Sequence, residues 1–295
     1  MAKEHSNPQA WKDSVAWSGA RQIELEPVCP RIGAEVRGVD LSIPLDQPTY
    51  LGLRQALLEW KVIFFRDQDI TLEQQLAFGR QFGALETHPF TKNNAERPEV
   101  MEIYNDAKEP ASQNVWHTDV MWREEPSLGS ILRAVEIPTV GGDTVFADMS
   151  AAYENLPDEM KAKIDGRVGV NDTMAYRAAM IARGDTPEEM ADYDRLYPPM
   201  EHPLVRTHPE TGQKVLYAAR PFTRIIKGMS QADSDTILEY LFSQASTPEY
   251  QCRFRWKKNS IAFWDNRVCQ HYAVSDYFPA VRKMERVTIA GDRPF

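Results

Sequence analysis

Two side chains able to bind a metal stand two residues apart in "NVWHTDVMW", namely His117 and Asp119, and a third, His271, lies far along the chain in "FWDNRVCQHYAVSDY". Read as a strand, the first run projects His117 and Asp119 from one face and turns Thr118 away, because side chains alternate along extended backbone. Two imidazoles and one carboxylate cover one triangular face of an octahedral ion and leave three positions open. That set suits Fe(II) in oxygen-activating sites, whereas zinc tends to close at four ligands. The bland alternative is a strand histidine hydrogen-bonded to a neighbouring carboxylate, and a short spacing pattern does not by itself decide between the two.

A second group of chemical interest lies in "RKMERVTIAGDRPF". Strand parity places Arg282, Met284, Arg286 and Thr288 on one face. A guanidinium turned into a protein interior needs a carboxylate, phosphate or sulfonate beside it, since an unpaired buried charge is strongly destabilising. Bound anions are therefore expected. For Arg286 the alternative is a surface salt bridge with Glu285 or another carboxylate.

The elements that must position these groups are mostly strands. "QIELEPV" and "RIGAEVRGV" alternate as half-buried strands do, and "PTYLGLRQALLEW" spaces Leu53, Leu57 and Trp60 as a helix does. The strand "VIFFR" follows. A second helix, "TLEQQLAFGRQFG", opens at Thr71 with Gln74 three residues on, a capping-box pattern. Beyond it come eight candidate strands, "EVMEIY", "SLGSILRAVEI", "DTVFAD", "HPLVRTHP", "KVLYAA", "YQCRFRW", "SIAFWD" and "RVTIAG", separated by turns such as Gly141-Gly142 and Asp265-Asn266. Only "MSAAYENL", "PDEMKAKI" and "SQADSDTILEYLFSQA" interrupt them as helices, which argues for a sandwich or barrel over a doubly wound sheet. Residues 1–20 read as a polar arm pinned at most by Trp11 and Trp17, residues 21–295 as a single domain, and 173–199 as an insertion or lid over a site.

Composition narrows the partners. Of 295 residues, 42% are hydrophobic and 26% charged, the balance of a soluble globular chain. No apolar run of membrane-spanning length occurs, and "MAKEHSNPQAWKDS" lacks the apolar centre of a secretory signal, so a cytoplasmic protein is expected. Cys29, Cys252 and Cys269 are an odd number without Cys-x-x-Cys spacing and are expected to be reduced thiols. A net charge of −9 with no basic run speaks against nucleic acid and anionic membrane surfaces and for a small-molecule partner.

Taken together, "WHTDV" at 116–120, "PTVGGDTVFADMSAAYENL" at 138–156, "HPLVRTHPETGQKVLY" at 202–217, "WDNRVCQHYAVSDY" and "RKMERVTIAGDRP" make the sequence resemble the taurine dioxygenase and chlorophenoxyacetate dioxygenase family of Fe(II), 2-oxoglutarate-dependent oxygenases, over nearly the whole chain. The resemblance implies a mainly β fold with flanking helices, a double-stranded β-helix or jelly-roll. It implies Fe(II) on His117, Asp119 and His271 as the catalytic centre, with 2-oxoglutarate and O2 as co-substrates. Thr144 and Arg282 would hold the distal carboxylate of 2-oxoglutarate. Iron, one aspartate, 2-oxoglutarate and Arg282 sum to near neutrality, so a second inward arginine implies an anionic substrate. Arg286 and His88 match family positions that bind a sulfonate, and Val120, Trp122 and Phe222 fall where the family places apolar walls. His202 and His208 are expected to shape a hairpin, and His5 lies in the arm.

Departures from the family pattern weigh against taurine itself. Thr91 replaces a tyrosine, Gln113-Asn114 aligns loosely with an asparagine, and Ala175-Tyr176 replaces a serine-phenylalanine pair. The reaction implied is hydroxylation of a small anionic substrate, first an organosulfonate such as taurine, giving an aldehyde and sulfite beside succinate and CO2. Alternatives are the same chemistry on an alkyl sulfate, and hydroxylation, desaturation or cyclisation of an amino-acid-like or aryloxy carboxylate. A non-catalytic jelly-roll binding module is the remote alternative. By the same resemblance the chain is expected to form a homo-oligomer, a dimer or tetramer.

Overall fold

A strand with apolar residues on both faces must be covered twice, and two such strands organise this molecule. The computed structural model describes residues 23–91, 93–108 and 114–295; the arm expected over 1–20, with His5, Trp11 and Trp17, and also Gln113, lie outside the described residues. Strand β3 (Val62–Phe65) and strand β14 (Ile261–Asp265) are buried at every position. Val62 and Phe64 of β3, with Ala262 and Trp264 of β14, face one core. Ile63, Phe65, Ile261 and Phe263 face a second core on the other side, as alternation along a strand requires. Full burial of each such large side chain contributes roughly 1.5–3 kcal/mol before the cost of ordering the chain.

These strands sit in an eight-stranded sheet ordered β1 (Glu24–Pro27), β2 (Ala34–Arg37), β3, β14, β6 (Gly129–Glu136), β16 (Arg282–Ile289) and β4 (Leu85–Glu86), with β5 (Val100–Asn105) also paired to β16. Its pairs are antiparallel except β2 with β3. Helices α1 (Gln47–Trp60) and α2 (Leu72–Arg80) close the second core. The capping box expected at Thr71 and Gln74 is present in both directions.

The first core is shared with a three-stranded antiparallel sheet, β13 (Gln251–Phe254), β7 (Thr144–Asp148) and β15 (Cys269–Ala273). Phe64 stacks on Phe254 across that core with centroids 4.0 Å apart, and Phe146 lies 5.5 Å from Trp264. Helices α3 (Met149–Glu154), α4 (Asp158–Ile164) and α7 (Gln231–Ser243) contribute apolar residues to the same core. The fold is therefore rich in sheet with flanking helices, and the candidate site lies between the sheets where β16, β7 and β15 approach.

The run Asn114–Trp122 is not a strand: His117 forms one isolated bridge to His271, and Asp119–Trp122 turn away, with Val120 at φ 48°. Strands shorter than the sequence pattern resolves were missed, including β8 (Val168–Asn171) and β12 (Thr223–Ile226), which pair with each other. The stretch 173–199 carries two helices, α5 (Arg177–Arg183) and α6 (Pro187–Leu196), the latter opened by a Thr186–Glu189 capping box. His208 does shape the hairpin of β10 (Val205–Thr207) and β11 (Lys214–Leu216): its Nδ1 accepts from Thr211 N at 3.2 Å, and its Nε2 lies 3.0 Å from Asp265 Oδ2. His202 is instead tied to Arg123 O at 2.8 Å. The three cysteines are free, and among the described residues no helix is long and apolar enough to cross a membrane.

Candidate active site

The backbone N–H of each of His117 and His271 donates to the other's carbonyl, at 3.1 and 2.8 Å. That bridge sets the two imidazoles side by side, with ring centroids 4.1 Å apart. Asp119 reaches them from the turn. Its backbone N–H donates to Asn266 Oδ1 at 2.8 Å, and its carbonyl accepts from Asn266 Nδ2 at 2.9 Å. The Thr118 Oγ1 lies 2.8 and 2.7 Å from the carbonyl oxygens of Asn266 and Cys269, and its single proton is donated to one of them at a time. Side chains thus stand in for the ladder partners that an irregular segment lacks. One ligand atom from each of His117, Asp119 and His271 lies within 4.8 Å of the others, and all three residues are buried.

Their protonation suits a cation. His117 Nδ1 lies 2.8 Å from Val115 O, which assigns the proton to Nδ1 and leaves the Nε2 lone pair toward Asp119. Burial lowers both imidazoles, His271 to about 3 with help from His117 and Arg286, so both are neutral near pH 7. For Asp119 burial alone acts upward, but the charge of Arg286 and the hydrogen bond from Ser130 hold it well below the usual carboxylate range. Two neutral imidazoles and one carboxylate are the state a divalent metal requires of its ligands, so the residues present fit an Fe(II) ion.

A cavity of about 220 Å³ opens beside this triad, lined by His117, His271, Thr144, Arg282, Arg286 and Thr91 among others. Thr144 Oγ1 accepts from Trp256 Nε1 at 2.9 Å. An indole N–H only donates, so the threonine proton stays available to an incoming acceptor. Arg282 donates from Nε to Gly142 O at 3.1 Å, its single hydrogen bond among the described residues, and burial lowers its pKa. Gly142 has φ 71°, and a Cβ there would stand 3.2 Å from Arg282 Cδ, so both conformation and space call for glycine. Arg286 donates from Nη1 to Asp119 Oδ1 at 2.7 Å, while its Nε is buried with no partner among the described residues. The surface pairing of Arg286 with Glu285 is excluded, because Arg286 is buried and Glu285 binds Arg133 at 3.2 Å. The expectation that both inward arginines await an external anion is corrected in part: Arg286 already has Asp119.

Val120, Trp122 and Phe222 form a separate apolar cluster with Phe90, joined by Tyr176, Tyr193 and Tyr197; none of the first three lines the cavity. His88 borders this cluster, 6.1 Å from Trp122 and 5.7 Å from Tyr176 between ring centroids. Its Nδ1 accepts from Phe90 N at 3.2 Å, which places the proton on Nε2. Burial, reinforced by Arg286, lowers His88 to about 3, so it serves as a neutral donor. Burial also raises Tyr176 to about 12. Thr91 Oγ1 is buried at the cavity wall without a partner among the described residues.

Residues 24–288 match the family described as taurine catabolism dioxygenase TauD, TfdA family. The chain belongs to that family. It is 36% identical over 280 residues to an alpha-ketoglutarate-dependent sulfate ester dioxygenase of Pseudomonas putida, covering 93% of this chain and 92% of the relative. It is likewise 36% identical over 277 residues to an alkylsulfatase of Acinetobacter baylyi, covering 92% and 86% of the two chains. A solved taurine dioxygenase from Burkholderia xenovorans superposes with a TM-score of 0.79 at 39% identity, covering 92% of this chain and 90% of that one. The protein is thus a 2-oxoglutarate-dependent dioxygenase, with O2 as the second co-substrate, and not a metal-free binding module.

Three residues of this TauD/TfdA-family dioxygenase escaped the sequence reading although they hold the site together: Asn266, Trp256 and Ser130, whose hydroxyl donates to Asp119 Oδ2 at 2.9 Å. Asn266 carried a weak signal as the second residue of the Asp265-Asn266 turn. Ser130 and Trp256 carried none, because only pairing between distant strands brings them to the triad.

Proposed function

We propose that this dioxygenase binds Fe(II) through His117, Asp119 and His271, holds 2-oxoglutarate with Thr144 and Arg282, and oxidises the carbon beside the anionic head of a small organic sulfate ester or sulfonate. The observation that carries the reading is one cavity lined by both triad histidines and both inward arginines, with Asp119 gathered beside the histidines. Iron bound with 2-oxoglutarate supplies oxygen activation and removal of a substrate hydrogen, with succinate and CO2 as co-products. The chain's residues supply binding and orientation. Arg282 and the free Thr144 proton suit a carboxylate in a charge-assisted pair. Arg286 Nε and the His88 Nε2–H are the donors left for the substrate anion. Met101, Ile103 and Leu132 line the same cavity and suit an apolar body, while Val120, Trp122 and Phe222 pack beside His88 and apart from that cavity.

That apolar lining favours a sulfate ester of an apolar alcohol over taurine, whose ammonium would need acceptors, and the sulfate ester dioxygenase and alkylsulfatase relatives support the same choice. The sulfonate reading stands second, supported by the taurine dioxygenase of the same fold. Hydroxylation of the carbon bearing a sulfate ester yields an aldehyde and sulfate; beside a sulfonate it yields an aldehyde and sulfite. We also read the two facing sheets as a double-stranded β-helix, residues 21–295 as one catalytic domain, and 173–199 as a cover over the substrate side. Packing of Tyr193 and Tyr197 on Phe90, at 5.0 and 5.2 Å between centroids, supports the last.

The test is succinate formation with Fe(II), 2-oxoglutarate and oxygen across alkyl sulfates, alkanesulfonates, taurine and aryloxyacetates, with sulfate, sulfite and phenol measured in parallel. Alkyl sulfates should drive succinate and release equimolar sulfate. Sulfite from sulfonates at higher efficiency would move the assignment to the second reading, and turnover only with carboxylates would overturn both.

A further inference from the structure

Asp119 is the one member of the triad with two atoms to offer a metal, and how many it gives decides how many positions remain. One oxygen and two imidazoles leave three places on an octahedral ion. Two oxygens would leave two, and a co-substrate chelating through two atoms would fill them, with nothing left for O2.

The structure divides the two oxygens between different neighbours. Oδ1 faces the imidazoles, 3.8 Å from His117 Nε2 and 3.9 Å from His271 Nε2, and also accepts from Arg286 Nη1 at 2.7 Å. A carboxylate oxygen has two lone pairs, so one guanidinium bond leaves the other directed at the triad. Oδ2 accepts from Ser130 Oγ at 2.9 Å. Ser130 is fully buried on β6, paired with Trp264 on one side and Thr288 on the other. That bond is the only one its side chain makes among the described residues, so its single proton is committed to Oδ2. The paired hydrogen bonds from Asn266 hold the Asp119 backbone, leaving rotation of the carboxylate as the remaining freedom.

We propose that Ser130 fixes Asp119 as a one-oxygen ligand: its hydroxyl holds Oδ2 away from the metal, and three positions stay open for 2-oxoglutarate and oxygen. This rests on the metal assignment above and goes beyond it by naming what sets the coordination number. Ser130 is a positioning residue, acting through Asp119. Without its proton, Oδ2 is a buried carboxylate oxygen lacking a donor, and the metal is the cation it turns toward.

The experiment compares wild type, Ser130→Ala and Ser130→Thr loaded with Co(II) and 2-oxoglutarate, each titrated with azide, a small anion whose binding to cobalt changes the visible absorption. With two imidazoles and two co-substrate atoms in place, a one-oxygen Asp119 leaves a position for azide and a two-oxygen Asp119 leaves none, so wild type and Ser130→Thr should respond while Ser130→Ala, still holding one Co(II), should not. With Fe(II), kcat of Ser130→Ala should fall by about 10–100-fold, the usual effect of losing a group that orients a ligand, with little change in the KM for 2-oxoglutarate. An azide response like that of wild type in Ser130→Ala overturns the proposal, as does a wild type that does not respond or a loss of activity fully explained by weaker Co(II) uptake. Melting of the metal-free proteins checks folding. Should the alanine variant not fold, Ser130→Cys, similar in shape and a poor donor, gives the same comparison. Absence of stoichiometric Co(II) uptake by wild type would instead mean that the metal assignment itself is wrong.

Discussion

Arg282 and Arg286 stand four residues apart on one strand, open on the same cavity and are both buried, yet their surroundings differ. Arg286 rests on a carboxylate, Asp119 Oδ1, at 2.7 Å. Arg282 rests on a backbone carbonyl, Gly142 O, at 3.1 Å, with the Tyr277 ring 6.0 Å from its guanidinium carbon. The first cation is neutralised by the protein and has orientation and spare hydrogen bonds to give. The second retains its charge for a ligand, and burial already presses its pKa downward. One residue type at one strand parity thus acquires two functions from what lies across the cavity.

The comparison breaks most severely at Asp119. Asp119→Ala should abolish stoichiometric binding of Co(II) or Fe(II), and it leaves Arg286 buried without an anion, so the metal-free protein should lose about 3–5 kcal/mol of stability. Metal titration and urea unfolding measure both; metal uptake at wild-type affinity would remove Asp119 from the site. Arg286→Gln strands the carboxylate instead. The metal-free fold should again lose about 3 kcal/mol, while 2-oxoglutarate should bind the metal-loaded variant as it binds wild type, in a calorimetric titration.

Arg282→Gln should do the reverse. Among the described residues no carboxylate forms an ion pair with Arg282, so unfolding should barely change, whereas 2-oxoglutarate should bind more weakly by about 1.5–3 kcal/mol, the range for a charge-assisted hydrogen bond. Equal losses of stability in the two arginine variants would erase the distinction. The smallest effect expected is on pH dependence. His88 titrates near 3 in the fold, because of burial and then Arg286, against 6.5 as its ordinary value. Between those values the unfolded chain binds more protons than the folded one, so stability falls as pH drops below 6.5. His88→Gln should remove that part of the acid limb, at most about 2 kcal/mol at pH 5. Parallel stability–pH curves for wild type and variant would show His88 to be solvated.

Legibility followed the range of the interactions. The helix of Leu53, Leu57 and Trp60, the Thr71 capping box, and the parity that turns Arg282 and Arg286 inward are local, and each stands in the structure where the pattern placed it. The extended reading of Asn114–Trp122 failed because alternation there imitates a strand, while the backbone finds its partner in the Asn266 side chain. The Thr186–Glu189 box of α6 is as readable as that of Thr71, but lies within a stretch read only as an insertion or lid. Val120, Trp122 and Phe222 do gather, as a cluster beside His88 and apart from the open cavity.

By itself the sequence determined which chemistry this protein can attempt. Side-chain identity sets ligand type and charge, and strand parity sets which face a residue shares, so the His-x-Asp…His set and two inward arginines are visible without a fold. Tertiary structure alone decided which groups are spent and which are free. The bridge between His117 and His271, the proton of Ser130 on Asp119 Oδ2, the indole of Trp256 on Thr144 and the pairing of Arg286 with Asp119 all join residues distant in the chain. A hydrogen bond or ion pair depends on sub-ångström placement of both partners, and that placement is a property of the packed sheets, with no counterpart in the spacing of residues along one chain.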